Sequence, residues 1–520
     1  MICMDKKERY YTNPVLYADY SDPDIIRANE NYYCISSSFN YFPGIPVLQS
    51  YDLVHWNLIN HCVQSLPFEK YNQPIHGSGI WAPAIRYHEE TFYVFFPLPD
   101  EGIFVTTAKD PAGKWSKPHC IVKAKGWIDP CPFWDDDGKS YMVFAYAKSR
   151  CGIKHKLALC EMNAEATKLL SEPVVIVDGT LTNPTAEGPK LYKKDGYYYI
   201  FSPAGGVKEG WQTVWRSKNI YGPYEYKIVM HQGNTDINGP HQGGYVSTEN
   251  GENFFLHFQD VGALGRICHL QPMEWINGWP FIGQEQNGDG IGEPVKEWKI
   301  SGRLTKCEEQ QNGIPDSDLF DSDRLGLQWQ WQANPQKEWY SLTENAGTLR
   351  LYAIENQVRK ENLFWYAPNL CTQILQAQEL VITAEITLHG CEDGDFCGVG
   401  MFGHCYSFIG LEYDHNKVYL KIYKGNVIEE QGLGEAEEVL FYCSNEMKND
   451  KIRIRIQLYK NEKYEFFYSV DGVVYSGALS SFILKEGTWT GAKFAMTALN
   501  KKNRSSKGFG DISFVELKKG

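Results

Sequence analysis

The chain reads as an all-β protein, a five-bladed β-propeller followed by a jelly-roll β-sandwich. Three observations predict this. One pattern recurs five times in the first part of the chain. Helix signals are almost absent between the recurrences, where Gly, Pro, Asn and Asp punctuate short apolar runs. Beyond a polar stretch, the remaining residues carry runs that alternate apolar and polar at period two.

The recurring pattern is a polar turn, two adjacent bulky residues and an apolar strand: NENYYCISSS, HEETFYVFFP, DDGKSYMVFAY, KKDGYYYIFSP and ENGENFFLHFQ. Its leading aromatics are Tyr32, Phe92, Tyr141, Tyr197 and Phe254, separated by 60, 49, 56 and 57 residues. Each interval holds about four strands with their turns, which is one propeller blade, so five recurrences give five blades. An ordinary sandwich with chance turn similarity is the plainer alternative. The propeller is assigned to residues 9–300 and a polar, irregular linker to 301–315. The sandwich takes 316–520, where GTLRLYAI, ELVITAEITL, VYLKIYKG and KIRIRIQLYK alternate as half-buried antiparallel strands do.

Composition narrows the function. Lys and Arg number 51 against 64 Asp and Glu, a net charge of −13. An acidic surface argues against a nucleic-acid backbone as partner and suits a neutral substrate. No apolar run is long enough for a membrane helix. The N-terminus, MICMDKKERYY, lacks the apolar core of a leader, so a cytoplasmic location is expected, with a leader removed beforehand left open. The 14 cysteines show no zinc spacing. Several sit in apolar stretches, among them Cys34, Cys160 and Cys443, and are expected to be buried free thiols in a reducing compartment.

In a propeller, side chains that meet on the axis come from equivalent places in different blades. Asp22 lies 10 residues before Tyr32, Asp129 12 before Tyr141 and Glu187 10 before Tyr197. Trp81 lies 11 before Phe92, and the His241–Gln242 pair 12 to 13 before Phe254. Pro or Gly follows each acid directly, and each acid alone would read as a turn residue. The shared phase places three carboxylates at one end of the axis. Like charges gathered in a cleft call for a function. Glycoside hydrolysis needs one carboxyl group to protonate the leaving oxygen and another to activate water or attack carbon, while a third negative charge raises the pKa of the acid. Glu187, the longest of the three, is taken as the acid. Trp81 offers a flat face to a sugar ring, or fills a blade core.

At these residues the sequence resembles glycoside hydrolase family 43, the β-xylosidases and α-L-arabinofuranosidases. The stretches that carry the resemblance are NPVLYADYSDPDIIR, YFPGIPVLQSYDLVHW, GIWAPAI, GWIDPCPFWDDDGKSY, AEGPKLY and LGRICHLQPMEWINGWP. It runs on through DRLGLQWQWQANP and GTLRLYA, which look like the concanavalin-like accessory sandwich of longer members. The resemblance implies an enzyme that inverts the anomeric carbon, with Asp22 as general base, Glu187 as general acid and Asp129 as the carboxylate that orients and tunes the acid. It further implies Phe39 and Trp81 as aromatics of the sugar pocket and Arg266 as an arginine reaching the substrate; a surface salt bridge is the plainer reading of Arg266. Longer members lend an aromatic loop from the sandwich to the pocket. The matching stretch EGTWTGAKFAM carries Trp489 between Gly487 and Gly491, which would let the loop turn sharply; a place in the sandwich core is the alternative for Trp489. One departure concerns the axis, where many members place a histidine beside a calcium or a water cluster. In GPHQGGYVSTENG, Gln242 rather than His241 falls at that place, so no metal is assigned and a structural calcium stays open.

The reading is thus an exo-acting inverting glycosidase that needs no cofactor and takes an oligosaccharide, with association of like chains left open. A glycan-binding protein without catalysis is the main alternative, disfavoured by the acid trio, which a lectin would not need. A retaining enzyme, with its carboxyl groups only about 5–5.5 Å apart, is another.

Overall fold

A computed structural model describes residues 9–300, 313–428 and 434–520 of the chain. Most of the linker read over 301–315 lies outside the described residues. The protein is all-β, a five-bladed propeller followed by a two-sheet sandwich.

Each blade is a four-stranded antiparallel meander taken from one continuous stretch: 24–63, 84–122, 127–178, 190–231 and 241–282. The inner strands are Asp24–Ala28, Ala84–His88, Trp127–Trp134, Lys190–Lys194 and His241–Ser247. The five leading aromatics of the repeat all fall on second strands, such as Thr91–Leu98 and Asn253–Asp260. Their rings feed the apolar layers between neighbouring blades: Tyr33 meets Phe92 edge-on at 5.2 Å, between blades one and two. The repeat signal is therefore the inter-blade packing itself, since each sheet buries its faces only against its neighbours.

Among the described residues no strand is exchanged between blades to close the ring. Residues 11–20 lie along blade five instead. Leu16 and Cys268 bond mutually through their backbones, and the Asn13 side chain donates to Leu270 O and accepts from Leu270 N, both at 2.8 Å. Tyr20 N donates to Arg266 O at 3.1 Å before the chain turns into blade one, which delivers Asp22 beside Arg266.

The sandwich holds two seven-stranded antiparallel sheets. In Lys451–Leu458, Ile452, Ile454, Ile456 and Leu458 are buried at every second position, the period-two alternation of the sequence. Glu435–Met447 forms an edge strand largely open to solvent. Cys443 stands on it and is exposed, contrary to the expectation from its apolar neighbours, while Cys34 and Cys160 are buried. An edge strand lacks a partner on one side and is only partly covered by the facing sheet, so local hydrophobicity does not bury it.

The two domains are joined by backbone pairing. Phe42 and Trp331 exchange N–H···O bonds of 2.8 and 2.6 Å, and Asn334 donates to Leu66 O and accepts from Leu66 N. His76 stacks on Trp365 with ring centroids 3.6 Å apart. Ala263 and Leu264, from a propeller loop, belong to the sandwich core. Among the described residues no helix is long and apolar enough to cross a membrane.

Candidate active site

Asp22, Phe39, Trp81, Asp129, Glu187, Gln242, Arg266 and Trp489, the eight residues singled out in the sequence, line one cavity of about 130 Å3 at the start of the inner strands. His241 and Val207 complete much of its wall. Seven of the eight come from all five blades, and Trp489 comes from the sandwich.

The backbone that presents them is strained. Positive φ occurs at Asp22 (53°), Phe39 (51°), Asp129 (55°), Gln242 (33°) and Trp489 (65°). Such conformations cost on the order of 1–3 kcal/mol each and persist only where the surroundings fix them. Two of them sit in β-bulges: the register slips between Ile128 and Cys131, around Asp129, and between His241 and Gly243, around Gln242. A bulge inserts one residue and re-aims the side chains beside it. At Glu187 the unusual φ falls on the next residue, Gly188, where a Cβ would come within 2.9 Å of the Gln242 side chain.

Each carboxylate has its own environment. Asp22 Oδ2 accepts from Ser37 Oγ at 2.6 Å, and Asp22 Oδ1 from Arg266 Nη1 at 3.4 Å. Asp129 Oδ2 accepts from Gly188 N at 2.8 Å, which ties blade three to the acid of blade four. Burial first, and then the Glu187 charge, push the Asp129 pKa up to about 8, against the pull of the Gly188 N–H and the Lys190 ammonium. Lys190 is fully buried. Glu187 Oε1 lies 2.9 Å from His241 Nε2. The Glu187 side chain is 25% exposed, against 8% for Asp22, so it is the more accessible of the two to an incoming leaving group.

His241 is the residue the sequence reading set aside. Its ring holds Glu187, while Gln242 occupies the bulge next to it and packs on Gly188. The repeat phase pointed at both, and the extra residue of the bulge is what blurred the choice. Around them the protein offers an ion one free amide oxygen, Gln242 Oε1, and one imidazole nitrogen, His241 Nδ1. A calcium shell of about six to eight oxygens would have to come mostly from water, and nothing in the chemistry below draws on one.

The remaining residues frame a ring-sized slot. Arg150 stacks over Trp81, 5.4 Å from its centroid, and Phe39 is pinned to blade two by paired backbone bonds with Ile80. Arg266 lies between the rings of Phe258 and Trp489, at 4.9 and 6.0 Å. Trp489 is 53% exposed and not part of the sandwich core. The turn that projects it falls on Trp489 itself and not on the flanking glycines, neither of which has positive φ. Gly491 serves a different need: a Cβ there would lie 2.7 Å from the Leu264 carbonyl carbon, so the two domains meet there without room for a side chain.

Comparison with known proteins follows the same division of the chain. Residues 11–280 match the model for glycosyl hydrolases family 43, and residues 317–518 match the beta xylosidase C-terminal concanavalin A-like domain. A putative beta-xylosidase of Xylanibacter ruminicola is 35% identical over 508 residues, 94% of this chain and 86% of that protein. A non-reducing end alpha-L-arabinofuranosidase of Bacteroides ovatus is 32% identical over 367 residues, 66% of this chain and 65% of its own length. The crystal structure of a GH43 protein from Bacillus licheniformis superposes with a TM-score of 0.82 at 27% identity, covering 98% of this chain and 100% of that one.

Proposed function

The chain belongs to glycosyl hydrolases family 43, and from that premise we propose that it releases single pentoses, xylose or arabinose, from oligosaccharide chain ends with inversion. The observation that carries the reading is three carboxylates from three blades in one slot of about 130 Å3, with an aromatic from the second domain over it.

The pentose occupies the slot with its ring against Trp81 or Phe39. Asp22, held by Ser37 and Arg266, draws a proton from a water that attacks the anomeric carbon. Glu187, on the opposite side, gives its proton to the glycosidic oxygen as the bond breaks. Asp129 tunes this step by fixing the Gly188 backbone next to the acid. His241 orients the Glu187 carboxyl. A β-D-xylopyranoside and an α-L-arabinofuranoside present similar atoms around the scissile bond, and relatives of both specificities support keeping both substrates.

The test sets nitrophenyl β-D-xylopyranoside beside nitrophenyl α-L-arabinofuranoside and follows the anomeric proton of the first product by NMR. Release of the inverted anomer from at least one of them is expected. Retention would favour a double displacement, and hydrolysis of neither would remove the catalytic reading.

A further inference from the structure

At the far ends of the same five inner strands lies a second cavity, of about 590 Å3, more than four times the roughly 130 Å3 of the catalytic slot. It is not the rear door of that slot. Between the two lie Asp24 and Cys131, both fully buried; Arg86, in the wall of the second cavity, pairs with Asp24 at 2.7 Å and reaches Cys131 Sγ at 2.9 Å through Nη2.

The walls of this second mouth are aromatic. Trp134, Tyr192, Tyr245 and Trp275 line it, and the buried indole nitrogen of Trp275 has no hydrogen-bond partner. Four cations line it, Arg27, Arg86, Lys193 and Lys194, and three of them are paired with carboxylates. Arg86 is paired with Asp24, Lys193 with Asp135 and Asp136, and Lys194 with Asp195. Arg27 donates to Ser247 O at 3.4 Å, and the four acids balance the four cations, which leaves a free anion little net field. His88 stacks on one face of Trp134, and Arg86 and Lys194 lie over the rings of Tyr192 and Trp275, so a neutral ligand with apolar ring faces and many hydroxyls finds aromatic surface set among charged donors.

We propose that this mouth is a second, non-catalytic binding site for a neutral glycan of several sugars, which holds the enzyme on its substrate while the opposite face trims chain ends. The proposal rests on the pentosidase reading above. Tethering to a chain raises the local concentration of ends without altering the chemistry of the slot.

The test measures xylotetraose binding to the Glu187→Gln chain by titration calorimetry. Two sites per chain are expected, falling to one in Trp134→Ala and in Trp275→Ala, with affinity at the lost site down at least about tenfold. Either substitution in the otherwise native chain should leave nitrophenyl xyloside turnover unchanged, which also reports that the blades are folded. A single site that neither tryptophan affects overturns the proposal, even if the aryl xyloside is hydrolysed. Binding of glucuronate at this mouth in place of the tetrasaccharide also overturns it, as it would make the site one for anions. If neither site binds the tetrasaccharide and no aryl glycoside is cleaved, the pentosidase reading fails with it.

Discussion

At Asp129, burial and the Glu187 charge raise the pKa to about 8, while the Gly188 N–H and Lys190 oppose them. The folded chain therefore holds a proton that the unfolded chain, with the ordinary value of 3.8, releases. The stability contributed by this proton is fully present below about pH 4 and is lost as pH rises toward 8, a change on the order of a few kcal/mol. Denaturant midpoints at pH 5 and pH 8 should show this loss in the native chain and a much flatter dependence in Asp129→Asn. Glu187→Ala should lower turnover of such substrates by about 100- to 10,000-fold and spare aryl glycosides with good leaving groups, which need little protonation. Asp22→Ala should impair both classes alike, because the water is no longer activated. Equal losses across leaving groups in Glu187→Ala would remove that residue from the acid role.

One loop and one short segment set the geometry between the domains. Asp19, on the segment that closes the ring, accepts from Arg266 N at 2.9 Å through one oxygen and from Gly491 N at 2.8 Å through the other. It clamps the Trp489 loop beside Arg266, and it also faces the buried Lys493 ammonium, whose pKa burial lowers and Asp19 raises. Asp19→Ala leaves two backbone donors without their acceptor, at about 1–3 kcal/mol for each, and removes the negative charge that favours the Lys493 ammonium. A rise in KM of about tenfold is expected, larger than the loss in kcat, with partial rescue by Asn, which keeps one acceptor oxygen. A uniform loss of folded protein without the KM shift would mark Asp19 as merely structural. The blades were legible because inter-blade packing repeats the same aromatic step five times, and that step carried Asp22, Asp129 and Glu187 to one end of the axis. The bulges were not legible: Asp129 and the His241–Gln242 pair differ from the other blades by one to three residues of spacing, which looks like turn variation in a sequence. Nor was Asp19, whose partners lie 247 and 472 residues away. Trp489 was found only through resemblance, since nothing in its own stretch assigns a positive φ to a tryptophan.

Across the whole molecule, the sandwich meets the propeller through paired backbone bonds at Phe42 and Trp331, the Asn334 contacts to Leu66, stacking of His76 on Trp365, and Gly491 against Leu264. These groups are largely buried, so removing the sandwich would strand polar backbone and expose Phe42 and Tyr71 to water. The loss amounts to several kcal/mol, a large part of the about 5–15 kcal/mol by which a domain is stable. A chain ending near residue 315 should therefore be recovered poorly folded or nearly inactive. Trp489→Ala separates shape from stability, because a half-exposed ring at positive φ contributes little to the core. This variant should fold and keep its thermal midpoint within a few degrees. It should lose the lid that excludes water and limits the slot to terminal sugars. Expected are a fall in kcat/KM of roughly 10- to 100-fold, by analogy with other buried aromatic contacts to ligand, and a product profile from long oligosaccharides that no longer consists of single pentoses alone. Chromatography of the products reads this directly. Full activity with an unchanged profile in both the truncated chain and Trp489→Ala would make the sandwich a separate module and leave the propeller to form the whole site by itself.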